Sequence, residues 1–175
     1  YSHLYGVHTT GLRFFTVYGP YGRPDMALFL FLKAMIDNKE IKLFNNGEMA
    51  RDFTYVDDIV QTIETIASKD FIKKDWDPTN PNLFNSSAPY RVYNIGNNKS
   101  VKLTDFLNEL ELKLNKKAKI KLMPMQPGDV KQSHANVDDL VNDFDYRPNT
   151  PVKYGISEFV DWYIEHQEIL EKNGI

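Results

Sequence analysis

The sequence predicts an α/β protein that holds only part of a parallel β-sheet. Two runs, 9–18 and 92–96, are rich in β-branched and aromatic residues with nearly continuous apolar character, as in strands covered on both faces. Helical periodicity follows them in 26–37, 57–67 and 154–170. Because a long stretch separates the two strands, we expect their neighbours to come from residues outside this chain. The sequence therefore predicts an incomplete sheet.

The two ends of the first strand carry further signals. Before it, Tyr1, Leu4 and Tyr5 fall at helical spacing ahead of Gly6, a residue that commonly ends helices, and no methionine precedes them. We therefore expect the chain to begin inside a helix. After the strand comes a loop rich in glycine and proline, YGPYGRPD, in which Asp25 is placed to cap the next helix.

Composition excludes several classes of partner. The 175 residues carry a net charge of -3, with 21 basic residues scattered among 24 acidic ones, which argues against nucleic acid or an anionic membrane. A small-molecule partner is favoured. The absence of cysteine excludes disulfides and thiolate zinc sites. Neither a signal peptide nor a bilayer-spanning apolar run is found, so we expect a soluble, cytoplasmic protein.

The sequence also lacks the motifs of several catalytic and cofactor sites. The four histidines show no paired ligand spacing, so no metal site is predicted, and there is no G-x-S-x-G nucleophile motif. A dinucleotide-binding glycine pattern fails as well, because Gly19-x-x-Gly22 is followed at the third position by Asp25. Candidate residues must therefore be sought among cationic and polar side chains in loops at strand ends.

Two arginines are candidates for binding an anion. Arg23 lies in a compact turn beside a helix N-terminus, a setting that suits a carboxylate or phosphate. The alternative is a solvated arginine or an ion pair with Asp25. Arg51, in ARDFTY, stands at a strand start, where anion binding and a local salt bridge with Asp52 are both open.

Two further residues could contact a nucleotide or sugar. Asp129, in the turn QPGD, could accept hydrogen bonds from sugar hydroxyls or satisfy the amides of its own turn, which is the commoner use. Phe44 could stack on a base or belong to the core, and the core is favoured.

Four segments carry a resemblance to a known family. RFFTVYGPYGRPDMA, ARDFTYVDDIV, VYNIGN and QPGDV occur in the order found in the NAD-dependent epimerase/dehydratase family of extended short-chain dehydrogenases/reductases. GRPDMA resembles the UDP-glucuronate 4-epimerases most closely. This resemblance implies that residues 1–175 are the C-terminal substrate-binding portion of such an enzyme. It would hold the last strands of a Rossmann-like sheet, without the N-terminal NAD-binding part.

The resemblance implies roles for five residues in binding a UDP-sugar. Thr16 resembles the residue that reaches the sugar at its carboxylate, and Arg23 resembles an anion contact to the carboxylate or pyrophosphate. Arg51 resembles the arginine that grips the pyrophosphate. Phe44 lies where the family lines its uridine pocket, and Asp129 resembles the aspartate that contacts the ribose.

The resemblance also implies what the chain lacks. Family members use a tyrosine of a Y-x-x-x-K motif to deprotonate the sugar 4-hydroxyl, while NAD takes the C4 hydride and returns it to the other face. No tyrosine of this chain is followed four positions later by lysine, so the catalytic tyrosine, lysine and Ser/Thr are expected upstream. Phe14 and Val17 resemble residues beside the nicotinamide. The fragment is expected to be inactive, and the full-length enzyme to be a homodimer.

Some positions depart from the family pattern and leave alternatives open. Gln126 stands where related epimerases often carry arginine, and residues 133–136, SHAN, replace a segment that usually contains tyrosine. A UDP-glucuronate decarboxylase or dTDP-sugar dehydratase would share the fold. A stand-alone, non-catalytic sugar-nucleotide-binding module is the alternative from a different class.

Overall fold

A computed structural model describes residues 1–70, 75–82 and 84–174 of the protein. The described residues contain the strands β1 (Thr9–Phe14), β2 (Thr16–Tyr18), β3 (Glu40–Leu43), β4 (Ala50–Tyr55), β5 (Tyr90–Ile95), β6 (Ser100–Lys102) and β7 (Lys119–Leu122). The helices are α1 (Ser2–Tyr5), α2 (Ala27–Ile36), α3 (Val56–Ala67), α4 (Leu103–Leu114), α5 (Asp138–Phe144) and α6 (Val152–Lys172). A short 3₁₀ helix covers Asn45–Gly47.

The strands form three small sheets that are mainly parallel. β1 pairs with β5 in parallel, from Thr9 opposite Tyr90 to Phe14 opposite Ile95. β4 lies in the middle of the second sheet, parallel to β2 and antiparallel to β6. β3 and β7 form a third parallel pair. The prediction of an α/β fold with parallel strands is confirmed.

The apolar run 9–18 contains two strands because the chain changes its partner at Phe15. The Phe15 N–H donates to the carbonyl of Ile95 at 3.0 Å, which is the last bond to β5. From Thr16 onward the chain pairs with β4 instead, with Thr16 opposite Phe53. The run 92–96 lies largely within β5.

β1 is less covered than its composition predicts. All six of its residues are half-buried or exposed, and Phe14 is 48% exposed. Among the described residues, β5 is the strand that pairs with β1, and no strand pairs with its other edge. The expectation that both faces are covered is therefore wrong for β1 within this chain.

The predicted cap of α2 is also wrong. The residue that caps α2 is Met26, and no side chain accepts a hydrogen bond from the first turn. Asp25 lies one residue too early and pairs with Arg23 instead. The Arg23 guanidinium, two residues before Asp25, binds the carboxylate that the sequence assigned to the helix cap.

Two hydrophobic clusters hold the elements together. The first cluster contains many aromatic residues, and in it Phe53 stacks on Phe106 with ring centroids 4.0 Å apart. The second cluster joins β5 to α3 and α5 through residues that include Tyr93 and Ile95. β4 therefore contributes Phe53 to the first cluster, while the neighbouring Asp52 contacts the segment that carries Ala135 in the second.

Candidate functional site

Arg51 extends from β4 and contacts the predicted ribose-binding residue. Its Nη2 donates to Asp129 Oδ1 at 2.8 Å, and its Nη1 donates to the Ala50 carbonyl at 2.9 Å. The same Asp129 oxygen accepts the Val130 N–H at 2.8 Å. The Arg51 side chain is 19% exposed and that of Asp129 is 32% exposed, so both remain accessible at one surface. Two predicted ligand residues, 78 positions apart, are therefore brought together.

The sequence alternative of a salt bridge between Arg51 and Asp52 is wrong. Successive side chains of a strand point to opposite faces, so these two neighbours cannot share one face. Asp52 is fully buried and accepts the N–H groups of Asn97 at 2.7 Å and Ala135 at 2.9 Å. Its own N–H donates to Ser133 Oγ at 3.2 Å.

Asp52 is a site residue that the sequence reasoning missed. Its carboxylate joins β4 to the turn after β5 and to the 133–135 segment, so it fixes the strand from which Arg51 extends. Gly96 allows this approach: a Cβ there would lie 2.3 Å from the Ala135 Cβ and 3.3 Å from the Asp52 carboxylate. The sequence signal for this role is a carboxylate inside a strand, because a buried charge needs hydrogen-bond donors from neighbouring segments.

The loop that follows β2 carries Arg23. Its side chain is 76% exposed and donates to Asp25 twice, from Nε at 3.1 Å and from Nη2 at 2.6 Å. The hydrogen bond from Arg23 lowers the pKa of the Asp25 carboxyl. The ion pair that the sequence left open is thus present, and a pair so exposed contributes little stability. Arg23 can turn toward another anion at small cost.

Thr16 and Arg23 line the same small pocket. Phe53 and Phe159 are also among its lining residues, and its volume is about 30 Å³. That volume accommodates roughly a water molecule or two and is far smaller than a sugar. The pocket therefore shows that the two predicted carboxylate contacts are neighbours, without itself holding the ligand.

Thr16 and Arg51 are linked through β4. Thr16 lies opposite Phe53 in the β2–β4 pair, and Phe53 is two residues beyond Arg51 on the same strand face. At about 3.3 Å per residue, the two positions are offset by roughly 7 Å along the strand. This spacing places the sugar-binding and pyrophosphate-binding candidates within the length of one sugar nucleotide.

Phe44 lies directly after β3 and is half-buried. It lines a pocket of about 410 Å³ with Leu30, Phe31 and Lys42. Phe44 is not among the residues of either hydrophobic cluster, and its half-buried position leaves the role at a uridine pocket a prediction. The carbonyl of its neighbour Leu43 accepts the Met123 N–H at 2.9 Å, which brings β3 beside the segment that leads to Asp129.

Phe14 and Val17 flank the point where the chain passes from β1 to β2. Phe14 is the last residue of β1, with 48% of its surface exposed, and Val17 is half-buried. Both lie near the carboxyl ends of parallel strands, where open α/β sheets bind ligands. An exposed phenylalanine close to Thr16 suits contact with a flat ring, which is the role that the resemblance predicts for Phe14 and Val17.

Two other types of site were sought in the part of the chain that the structure describes. No group of three or more His, Asp or Glu side chains there is arranged to hold a metal ion. None of the helices there is both long enough and apolar enough to cross a membrane.

Comparisons with known proteins show which family the chain is similar to. The sequence profile of the NAD dependent epimerase/dehydratase family matches residues 1–96. Protein CapI of Staphylococcus aureus is 53% identical over 167 residues, which are 95% of this chain and 50% of that protein. UDP-glucuronate 4-epimerase 2 of Arabidopsis thaliana is 42% identical over 168 residues, covering 94% of this chain and 38% of its own length.

A solved structure shows the same relationship. UDP-glucuronic acid 4-epimerase of Bacillus cereus, in complex with UDP-glucuronic acid and NAD, superposes with a TM-score of 0.76 at 26% identity. The match covers 93% of this chain and 47% of that one. The chain thus spans about half the length of the relatives it matches, and its fold is that of the C-terminal part of these epimerases.

Proposed function

Since the chain belongs to the NAD-dependent epimerase/dehydratase family, we propose that it is the substrate-binding half of a UDP-glucuronate 4-epimerase. The whole enzyme interconverts UDP-glucuronate and UDP-galacturonate at C4, and it acts as a homodimer. The observation that carries this proposal is the joined pair Arg51 and Asp129 beside the Thr16 and Arg23 pocket. The relatives named as UDP-glucuronate epimerases support the choice of sugar.

Arg51 binds the pyrophosphate in this proposal. Its Nη2 donates to Asp129, its Nη1 donates to the carbonyls of Ala50 at 2.9 Å and Lys131 at 3.4 Å, and within residues 1–70, 75–82 and 84–174 its Nε donates no hydrogen bond. The Nε–H is therefore available to a phosphate oxygen, and the charge of the guanidinium is partly desolvated by the site. Asp129 accepts from a ribose hydroxyl through the oxygen that Arg51 does not use.

Thr16 and Arg23 hold the sugar. The threonine hydroxyl can donate to a carboxylate oxygen, while Arg23 exchanges Asp25 for the more buried sugar carboxylate or a phosphate. The sugar carboxylate must be held in place because oxidation at C4 would make the sugar a β-keto acid. Such an acid loses CO₂ when the bond between its carboxylate and the ring aligns with the ketone π system. Phe44 stacks on the uracil.

Phe14 and Val17 would contact the nicotinamide of a bound NAD, which would supply a reversible hydride acceptor for C4 of the sugar. The residues of this chain orient the sugar and exclude water from it. The proton of the 4-hydroxyl is removed by residues that this chain lacks, so the isolated 175 residues are expected to be inactive.

The test is the complete gene product incubated with NAD and UDP-glucuronate, with products separated by chromatography. UDP-galacturonate is expected. Recovery of UDP-xylose would refute the proposal in favour of a decarboxylase, and no conversion would refute it outright. The isolated chain, assayed in parallel, should give no product.

Variants of Arg51 test its role. Removing a hydrogen bond to a charged group costs about 1.5–3 kcal/mol, so Arg51→Ala should raise KM about ten- to a hundredfold with little change in kcat. Arg51→Lys keeps the charge but loses the planar geometry and should recover only part of the affinity. Arg147→Ala, an exposed arginine outside the site, is the matched control. An unchanged KM in Arg51→Ala would contradict the pyrophosphate role.

A further inference from the structure

Tyr21 adopts a backbone conformation that bulky residues rarely take. Its φ is 59° while the residue is 80% exposed, so neither a favourable dihedral nor burial explains its position. Such a conformation persists only where surrounding contacts hold it, and it is commonly found at functional sites. The contacts that hold Tyr21 come from α6.

Tyr21 packs on two aromatic rings of α6. Its ring centroid lies 5.1 Å from Trp162 and 6.2 Å from His166. These two rings stack on each other at 5.4 Å with an angle of 27°. The three residues, which we call the aromatic clamp, thus form one continuous unit on the surface. His166 is also fixed from below, because its Nδ1 lies 2.8 Å from the Trp162 carbonyl oxygen.

The aromatic clamp is anchored in the first hydrophobic cluster. Trp162 lies 5.7 Å from Phe159, a buried residue that lines the same pocket as Thr16 and Arg23. The Trp162 Nε1 is buried and has no hydrogen-bond partner among the described residues. Because a buried N–H without a partner is unfavourable, the burial of Trp162 is explained by the packing of its ring and not by a hydrogen bond of its Nε1.

The aromatic clamp holds the loop that carries Arg23. At the loop's start, a Cβ on Gly19 would lie 2.8 Å from Val56 and 3.0 Å from Tyr55, so this end is packed against β4 and α3. The Gly22 N–H donates to the Gly19 carbonyl at 3.2 Å and closes the turn. Tyr21 lies within this turn, two residues before Arg23. The side chain of Arg23 itself is mostly exposed, and among the described residues its hydrogen-bond partner is Asp25.

We propose that Tyr21 is a positioning residue for substrate binding, whose tilted and edge-on packing against Trp162 and His166 keeps the Gly19–Asp25 loop placed so that Arg23 reaches an anionic group of the ligand. This inference rests on the proposed function, in which Arg23 contacts the carboxylate or pyrophosphate of a sugar nucleotide. Tyr21 acts through Arg23 and does not touch the reacting atoms.

The kinetic test uses the complete enzyme with UDP-glucuronate. The loss of one aromatic pair corresponds to a change in affinity of roughly three- to tenfold. Tyr21→Ala should therefore raise KM by that factor and leave kcat within about twofold of the parent value. Tyr21→Phe keeps the ring and should match the parent. Ile169→Ala, an exposed change on the same helix, is the control and should also match it.

A double-mutant cycle separates positioning from general loosening. In an Arg23→Ala background, Tyr21→Ala should have no further effect on KM, because its influence passes through Arg23. Full additivity of the two changes would overturn the inference, as would an unchanged KM in Tyr21→Ala alone. An inactive parent enzyme is a different outcome, since it refutes the proposed function before any variant is compared.

A spectroscopic test is independent of turnover. In protein labelled with 5-fluorotryptophan, the ¹⁹F resonance of Trp162 is assigned by its loss in Trp162→Phe. Tyr21→Ala should shift that resonance, whereas Ile169→Ala should not. A Trp162 resonance that Tyr21→Ala leaves in place would overturn the ring contact on which the inference depends.

Discussion

Gly155 is the position where adding a single methyl group should be most informative. It lies in the first part of α6, against two rings of the first hydrophobic cluster. A Cβ there would lie 2.5 Å from the Tyr18 hydroxyl oxygen, 2.7 Å from its Cε2 and 2.7 Å from Tyr55 Cδ2. Tyr18 cannot easily retreat, because it packs edge-on against Phe53 and Phe106 at 6.1 and 5.4 Å.

Two opposing effects determine the sign of Gly155→Ala. Alanine is favoured over glycine in a helix interior by about 1 kcal/mol. Overpacking a filled core costs about 1–3 kcal/mol, and contacts with two rings below 3.0 Å place this site near the upper end. We therefore expect the free energy of unfolding to fall by about 2 kcal/mol, against the direction that helix propensity alone predicts.

Urea unfolding followed by circular dichroism measures this difference. Ser157→Ala on the same helix is the control and should be neutral or slightly stabilising, since it gains propensity without a ring contact. Adding Tyr18→Phe to Gly155→Ala should restore part of the loss, because the contact at 2.5 Å disappears while the two at 2.7 Å remain. A Gly155→Ala protein at least as stable as the parent would refute this account of the packing.

Three further variants test buried polar groups by the same unfolding measurement. Burial raises the pKa of the Tyr18 hydroxyl, so above about pH 10 the unfolded chain loses the hydroxyl proton while the folded protein keeps it. The free energy of unfolding should therefore fall as the pH rises above about 10. It should fall less steeply in Tyr18→Phe, which has no hydroxyl proton to lose. Asp143→Asn should cost about 3–5 kcal/mol by leaving Arg91 buried without a counter-charge, whereas Asp161→Asn in an exposed pair should change stability by less than about 0.5 kcal/mol. Asp52→Asn should cost about 1–3 kcal/mol, because its amide cannot accept both backbone N–H groups; equal stability of parent and variant would contradict this.

Sequence reasoning was most successful where the relevant contacts are local. The strands in 9–18 and 92–96 follow from continuous apolar runs, and the Arg23–Asp25 pair was one of the stated alternatives because only two positions separate them. The break at Phe15 could not be predicted, since it depends on β4, which lies far along the chain. The exposure of β1 could not be predicted for the same reason. The apolar composition indicates that the strand is covered, but it does not show which residues cover it.

The candidate site shows the same division. The residue types at 51 and 129 predicted an anion contact and a hydrogen-bond acceptor, but their pairing across 78 positions depends on the fold. The local alternative with Asp52 could have been rejected from the sequence, because neighbours on a strand face opposite sides. What the sequence could not supply is the identity of the donors that satisfy Asp52, since Asn97 and Ala135 contribute only backbone N–H groups.

The alternation of side chains along β4 links the stability of the fold to the proposed binding site. Asp52 is fixed on one side by the backbone of two distant segments, while Phe53 and Tyr55 are buried on the other side in the first cluster. Arg51 extends from the start of the same strand, so its position depends both on the hydrogen bonds of Asp52 and on the packing of Phe53 and Tyr55. A change that displaces Tyr55, as Gly155→Ala should, therefore shifts the strand that carries Arg51, the arginine proposed to bind the pyrophosphate. In the complete enzyme we expect that variant to raise KM for UDP-glucuronate even at temperatures where it is fully folded.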